Sequence, residues 1–128
     1  GGADHEEASR VAEHLVEANL VGHDSHGAIR APKYLEWVAA GELLPNRHAE
    51  TVTDAGALLL VDGGFGYGQV IGHEAMALAA ERARRHGACI MGIRNSGHLG
   101  RIGAWAEQLA EAGLVSVHFV NTSGYGIL

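Results

Sequence analysis

The run His23-Asp24-Ser25-His26-Gly27, with Arg30 four residues beyond His26, is the densest group of chemistry-bearing side chains in the sequence. An imidazole with an ordinary pKa of roughly 6.5 moves protons at neutral pH, and a guanidinium grips a carboxylate through two parallel N–H donors. If the stretch is helical, His26 and Arg30 share a face one turn apart, with about 5–6 Å between Cβ atoms. The pair then suits a 2-oxo or 2-hydroxy acid, with Arg30 on the carboxylate, His26 on the adjacent oxygen and Ser25 orienting the imidazole. A plainer reading makes these residues a helix start, with Asp24 or Ser25 capping and the histidines solvated. A third takes His23, Asp24 and His26 as ligands of a metal-dependent hydrolase. Zinc wants a further protein ligand, however, and spacing nominates none of the other histidines.

Two glycine-bearing loops are the next candidates. Gly66-Tyr67-Gly68-Gln69-Val70-Ile71-Gly72 fits a GxGxxxG pattern between a strand and a helix, as a dinucleotide-binding turn would. No acidic residue ends the following strand, which finishes at Arg94, so a tight structural turn is the competing explanation. Asn95-Ser96-Gly97-His98-Leu99-Gly100-Arg101 precedes another helix. Free backbone N–H groups at that helix start, two glycines and a flanking arginine would suit a phosphate, and an ordinary strand-to-helix loop is the alternative.

The elements that must position these groups follow from periodicity. Asp4 and Glu7 form a capping-box pattern, and Ala8, Val11, Ala12, Leu15 and Val16 recur at helical spacing before Gly22. A second helical stretch carries Ile29, Leu35, Trp37 and Val38 and stops at Gly41, with Pro32 where a helix starts or bends. Residues 42–50 read as a loop. Residues 51–53 and 57–62 read as a short hairpin or two strand pieces, split by Asp54-Ala55-Gly56. A helix is expected from about Val70 to His86, closed by Gly87, with cations at its C-terminal end. A strand at 88–94, a helix through Ile102, Trp105 and Leu109, and a strand at 114–120 complete the pattern. The expected fold class is therefore α/β: N-terminal helices, then strand-helix-strand-helix-strand units with partly parallel pairing. The division falls into a helical segment 1–50, carrying the histidine motif, and the start of an α/β region, 51–128. Residues 124–128 read as a loop that leads onward, so the expectation is the N-terminal part of a longer protein.

Composition bounds the partners. Nine Lys plus Arg against fifteen Asp plus Glu give a net charge of −6 over 128 residues, which argues against nucleic acid. With 47% hydrophobic and 19% charged residues the chain suits a soluble domain with one core, and disordered and collagen-like classes are excluded. No run approaches the ~18 apolar residues of a membrane span, and the N-terminus lacks the pattern of a signal peptide. The lone Cys89 fits a reducing compartment, so a cytoplasmic location is expected.

Three stretches together resemble one family: His-Asp-Ser-His-Gly-Ala-Ile-Arg-Ala-Pro at 23–32, Val-Asp-Gly-Gly-Phe-Gly-Tyr-Gly-Gln-Val at 61–70 and Arg-Asn-Ser-Gly-His-Leu-Gly-Arg-Ile-Gly at 94–103. They are similar to the type 2 malate/L-lactate dehydrogenases, a family that includes sulfolactate and ureidoglycolate dehydrogenases, diketogulonate reductase and piperideine-2-carboxylate reductase. The resemblance runs from about Ala3 to Leu128. It implies a non-Rossmann fold, a homodimer at full length, and hydride transfer between NAD or NADP and C2 of a small 2-hydroxy, 2-oxo or imino acid. It also makes the glycine turn at 66–72 a structural element. By the same resemblance His26 is the proton donor, Ser25 belongs to its relay and Arg30 holds the substrate carboxylate. His98, Leu99, Gly100, Arg101 and Ile102 match a stretch that contacts the cofactor, and no metal is implied. The aspartate that completes the relay, and most cofactor loops, are expected beyond Leu128, which would leave the 128 residues inactive alone. From another class, a non-catalytic fragment or dimerisation module is the alternative.

Overall fold

A computed structural model describes residues 2–121; the expected loop at 124–128 lies outside the described residues. The first helix, α1 (His5–Leu20), starts where Asp4 accepts the Glu7 backbone N–H at 2.9 Å. Only half of the expected capping box forms. The Glu7 carboxylate is buried and accepts the Asn46 N–H at 2.8 Å, and Asn46 Oδ1 in turn takes the Asp4 N–H. The start of the chain is thereby stitched to the loop before the sheet.

Residues 24–30 depart from the helix expected there. They form two single 3₁₀ turns, Asp24–His26 and Ala28–Arg30, broken at an extended Gly27. The cause is Asn19 at the end of α1. Its side chain fills the space a Cβ at position 27 would need, accepts the Ala28 N–H and donates to Asp24. Helix α2 (Ala31–Ala40) then begins with Pro32 in its first turn, where a missing N–H costs nothing, and ends at Gly41.

The sheet has the order β1-β2-β3, with β1 (Glu50–Ala55) and β2 (Leu58–Asp62) an antiparallel hairpin. A right-handed-type crossover is the usual way to join parallel strands; here α3 (Gly68–His86) carries the chain from β2 to the parallel β3 (Ile90–Arg94). Alternation sends Leu59, Val61, Met91 and Ile93 to one face, towards α3 and α4 (Ile102–Glu111). Ala75, Met76, Ala80, Trp105 and Leu109 form the core there. A second cluster, Leu15, Tyr34 and Leu43 with Tyr67 and Val70, joins the N-terminal helices to the start of α3.

The strand expected at 114–120 is not part of the sheet. Its period-two pattern survives, with Val115, Val117 and Phe119 exposed and Leu114, Ser116 and His118 half-buried, but no described strand lies beside it. Alternation reports a chain ready to extend, whereas a ladder needs a neighbour.

The glycine turn is a packing device. A Cβ on Gly68 would overlap the backbone carbonyl of His98, and one on Gly72 would come within 2.7 Å of the Trp105 ring. The loops at 63–67 and 95–97 are laced by Gly63 N–H to Arg94 O, Phe65 N–H to Asn95 O and Gly97 N–H to Gly66 O. Gly68→Ala should therefore destabilise the fold by about 1–3 kcal/mol, because a backbone overlap outweighs the ~1 kcal/mol that alanine gains in helix propensity. Urea denaturation checks this; an unchanged or raised midpoint contradicts the packing account.

Candidate active site

The geometry of the histidine motif is set by the Asn19 clamp. Ser25 Oγ lies 2.9 Å from His26 Nδ1, and the Arg30 Nε donates to the Ser25 carbonyl at 2.6 Å. His26 and Arg30 thus meet around Ser25 and not along one helix face. The rings of His23 and His26 are 4.5 Å apart, tilted by 59°. The Asp24 carboxylate turns to Asn19, and no group of three or more His, Cys, Asp or Glu that could hold a metal ion occurs among the described residues.

His98 comes from the loop between β3 and α4 and stacks on His26, with centroids 5.0 Å apart and planes 28° from parallel. The contact across 72 positions of sequence is set by the laced loops. Two residues that sequence reasoning missed hold His98: Tyr34 Oη lies 2.9 Å from its Nδ1, and the Gln69 amide donates to Tyr34 Oη at 2.8 Å. Gln69 is 1% exposed. A polar amide in the apolar, glycine-rich start of α3 was the available signal, since a buried amide demands a partner.

The rest of the 98–102 stretch is largely engaged with the protein. The Leu99 carbonyl accepts from the Trp105 indole, and the Arg101 N–H donates to His14 Nε2 at 3.0 Å. The Arg101 guanidinium, expected to flank a phosphate, is buried and held by Glu107 and Glu17. Its charge is spent on those carboxylates. Gly100, Arg101 and Ile102 do border a cleft of about 370 Å³ together with His23 and His26.

Electrostatics keep these imidazoles neutral. Burial, then the neighbouring His26, Arg30 and His14, push the His98 pKa down to about 4. His26 is lowered by burial first, then by His23 and Arg30. His14, stacked on Trp105, is lowered chiefly by burial. Burial raises the Tyr34 phenol, so it remains a donor. The weakly basic His26 imidazole lines the cleft, and the Arg30 guanidinium beside it has no carboxylate partner among the described residues, an arrangement that can grip an acid and exchange a proton with the atom beside its carboxylate.

Known proteins share this architecture. The structure superimposes on malate dehydrogenase from Pyrococcus horikoshii with a TM-score of 0.82 at 36% identity, covering 88% of this chain and 32% of that one. Sulfolactate dehydrogenase from Methanocaldococcus jannaschii gives 0.78 at 35% identity, covering 83% and 31%. The fold is thus that of an open-sheet α/β dehydrogenase. Residues 1–126 match the malate/L-lactate dehydrogenase family, and the chain belongs to it. Hydroxycarboxylate dehydrogenase B of Escherichia coli K12 is 51% identical over 123 residues, which are 96% of this chain and 34% of that protein. Malate dehydrogenase of Pyrococcus abyssi is 36% identical over 121 residues, 94% of this chain and 33% of that protein. The chain spans about one third of the length of these relatives.

The lowered imidazoles make stability depend on pH. Unfolded, His98 and His14 take a proton near the ordinary 6.5; folded, they resist it, so stability is complete above that value and falls as pH drops from 6.5 towards about 4. The slope is at most ~1.4 kcal/mol per pH unit for each site. His48, raised by its bond to Glu74, acts in the opposite sense, but it is exposed and screened. Urea midpoints at pH 7.5 and 5 should differ clearly, the lower belonging to pH 5; equal midpoints would show that neither imidazole is held neutral.

Proposed function

We propose that the chain is the acid-gripping and proton-transferring part of an NAD(P)-dependent 2-hydroxy-acid dehydrogenase. The observation that carries the reading is the junction of His26, which lines the cleft, with Ser25 and Arg30 beside it. Arg30 takes the substrate carboxylate through a charge-assisted fork, and His26 then sits next to the C2 oxygen. Neutral His26 accepts the hydroxyl proton during oxidation, and protonated His26 returns it during reduction. Its lowered pKa makes it the stronger acid when charged and leaves it largely the base at neutral pH.

The cleft's fit to a cofactor is partial. About 370 Å³ lies at the lower end of small-molecule sites, which run from roughly 300 to 1,000 Å³. That space takes a small acid and the reacting ring of a nicotinamide, bordered by His23, His26, Gly100 and Ile102. With Arg101 compensated by two carboxylates, these residues supply no free cation for a pyrophosphate. When bound, the nicotinamide supplies or accepts the hydride; the chain's own groups hold the acid and move the proton. Malate, lactate, sulfolactate and related acids fit this reading equally.

In a protein extended to the length of its relatives, His26→Ala should lower kcat by about 10²- to 10⁴-fold. Steady-state rates with NADH or NADPH and 2-oxo acids test the assignment, and near-normal turnover at neutral pH would remove His26 from the proton path. Arg30→Lys replaces a fork by a point charge and should raise KM for carboxylated substrates roughly tenfold. An unaltered KM would place the substrate elsewhere. A non-catalytic module predicts no nicotinamide-linked turnover with any of these acids.

A further inference from the structure

The pair Tyr34 and Gln69 lies behind the imidazoles and plays no part in the steps above. Gln69 is buried in the first turn of α3, and its amide N–H donates to Tyr34 Oη at 2.8 Å. Having received that hydrogen, the hydroxyl has one proton of its own to give, and its other neighbour is His98 Nδ1 at 2.9 Å. A phenol proton directed at a ring nitrogen requires that nitrogen to be a bare acceptor. The ring hydrogen of neutral His98 must then reside on Nε2.

We propose that Tyr34, polarised by Gln69, is a positioning residue that locks His98 as its Nε2–H tautomer, so that His98, stacked on the cleft-lining His26, is a fixed, uncharged hydrogen-bond donor and not a second proton-transfer base. This rests on the dehydrogenase reading for its catalytic meaning, while the tautomer itself stands on geometry. His98 makes no other side-chain hydrogen bond among the described residues, so Nε2–H is its unspent group. The groups facing it are His26 by stacking, Tyr34, and more distantly Arg30 and His14. All three basic neighbours disfavour a second cation. Proton traffic is therefore left to His26 with Ser25, and His98 offers a donor to an oxygen of an acid held beside the His26 ring. A ring free to change tautomer would offer a donor and an acceptor by turns, and it would compete with His26 for the substrate proton.

Two-bond ¹H–¹⁵N correlation spectra of the ¹⁵N-labelled chain test the tautomer directly, with the His98 signals assigned by their loss in His98→Gln. The expected spectrum has Nδ1 unprotonated and Nε2 protonated from pH 5.5 to 8; an Nδ1–H form, or a mixture, overturns the proposal and means the Gln69 amide is turned the other way. In Tyr34→Phe the ring packing stays and the donor is lost. His98 should then protonate about tenfold more readily, the worth of one hydrogen bond to the neutral form. An unshifted titration overturns the proposal, and if this variant fails to fold, the unsubstituted chain's spectrum still decides. In the extended protein Tyr34→Phe should lower kcat about tenfold with KM changed less than twofold; an unchanged kcat overturns the positioning role. Absence of any nicotinamide-linked turnover in the unsubstituted protein would sink the dehydrogenase reading alone, because the spectra do not depend on it.

Discussion

Backbone contact between the loops at 63–67 and 95–97 is the constraint on which the site depends. Two interloop hydrogen bonds and a third to the end of β3 hold them, and the fit requires glycine at 68, where any side chain would displace the His98 carbonyl. This junction fixes where the β3–α4 loop leaves the sheet, hence where His98 meets His26. It also fixes the start of α3, from which Gln69 reaches Tyr34. Distant parts of the chain are thereby brought to one cleft by close approach of main chain, with side chains filling the remainder.

Such a junction solves a desolvation problem. Three imidazoles and a guanidinium stand close together, and packing them all as cations would be costly. Burial resolves this by keeping His14 and His98 uncharged, and each neutral ring is then useful as an acceptor: His14 for the Arg101 N–H, His98 for the Tyr34 hydroxyl. Arg101 takes the other solution, a pair of carboxylates. Arg30, beside the cleft-lining His26, is left without a carboxylate partner among the described residues.

Much of this was legible in the sequence, and what was not has identifiable causes. The helices at 5–20, 68–86 and 102–111 and the hairpin followed from periodicity and glycine stops, because their apolar faces are local patterns. His26, Ser25 and Arg30 stood out as candidates because reactive types lie close in sequence. Their geometry was not, since the break at Gly27 is imposed by Asn19, a residue from the preceding helix. Tyr34, Gln69 and His14 escaped for the same reason: their partners lie 35 to 87 positions away. That the flanking Arg101 is paired with Glu17 and Glu107 was not legible, because one partner lies 84 positions away and the other six. The extended residues at 114–120 show alternation without the tertiary partner that would make it a ladder.

Compensation of Arg101 also bears on how ligands arrive. A chain with net charge −6 repels an approaching carboxylate at long range, and the Arg101 trio adds to that field because two carboxylates outnumber one guanidinium. Over the final ~8 Å, about the Debye length in physiological salt, an anion senses mainly Arg30 and the polar rings around it. On the proposed reading, encounter of this chain with an acid is thus governed by a repulsive approach and a short attractive capture zone. Added salt weakens the first more than the second, so an anion should associate faster as ionic strength rises from very low values, the reverse of the dependence shown by sites that attract anions from afar.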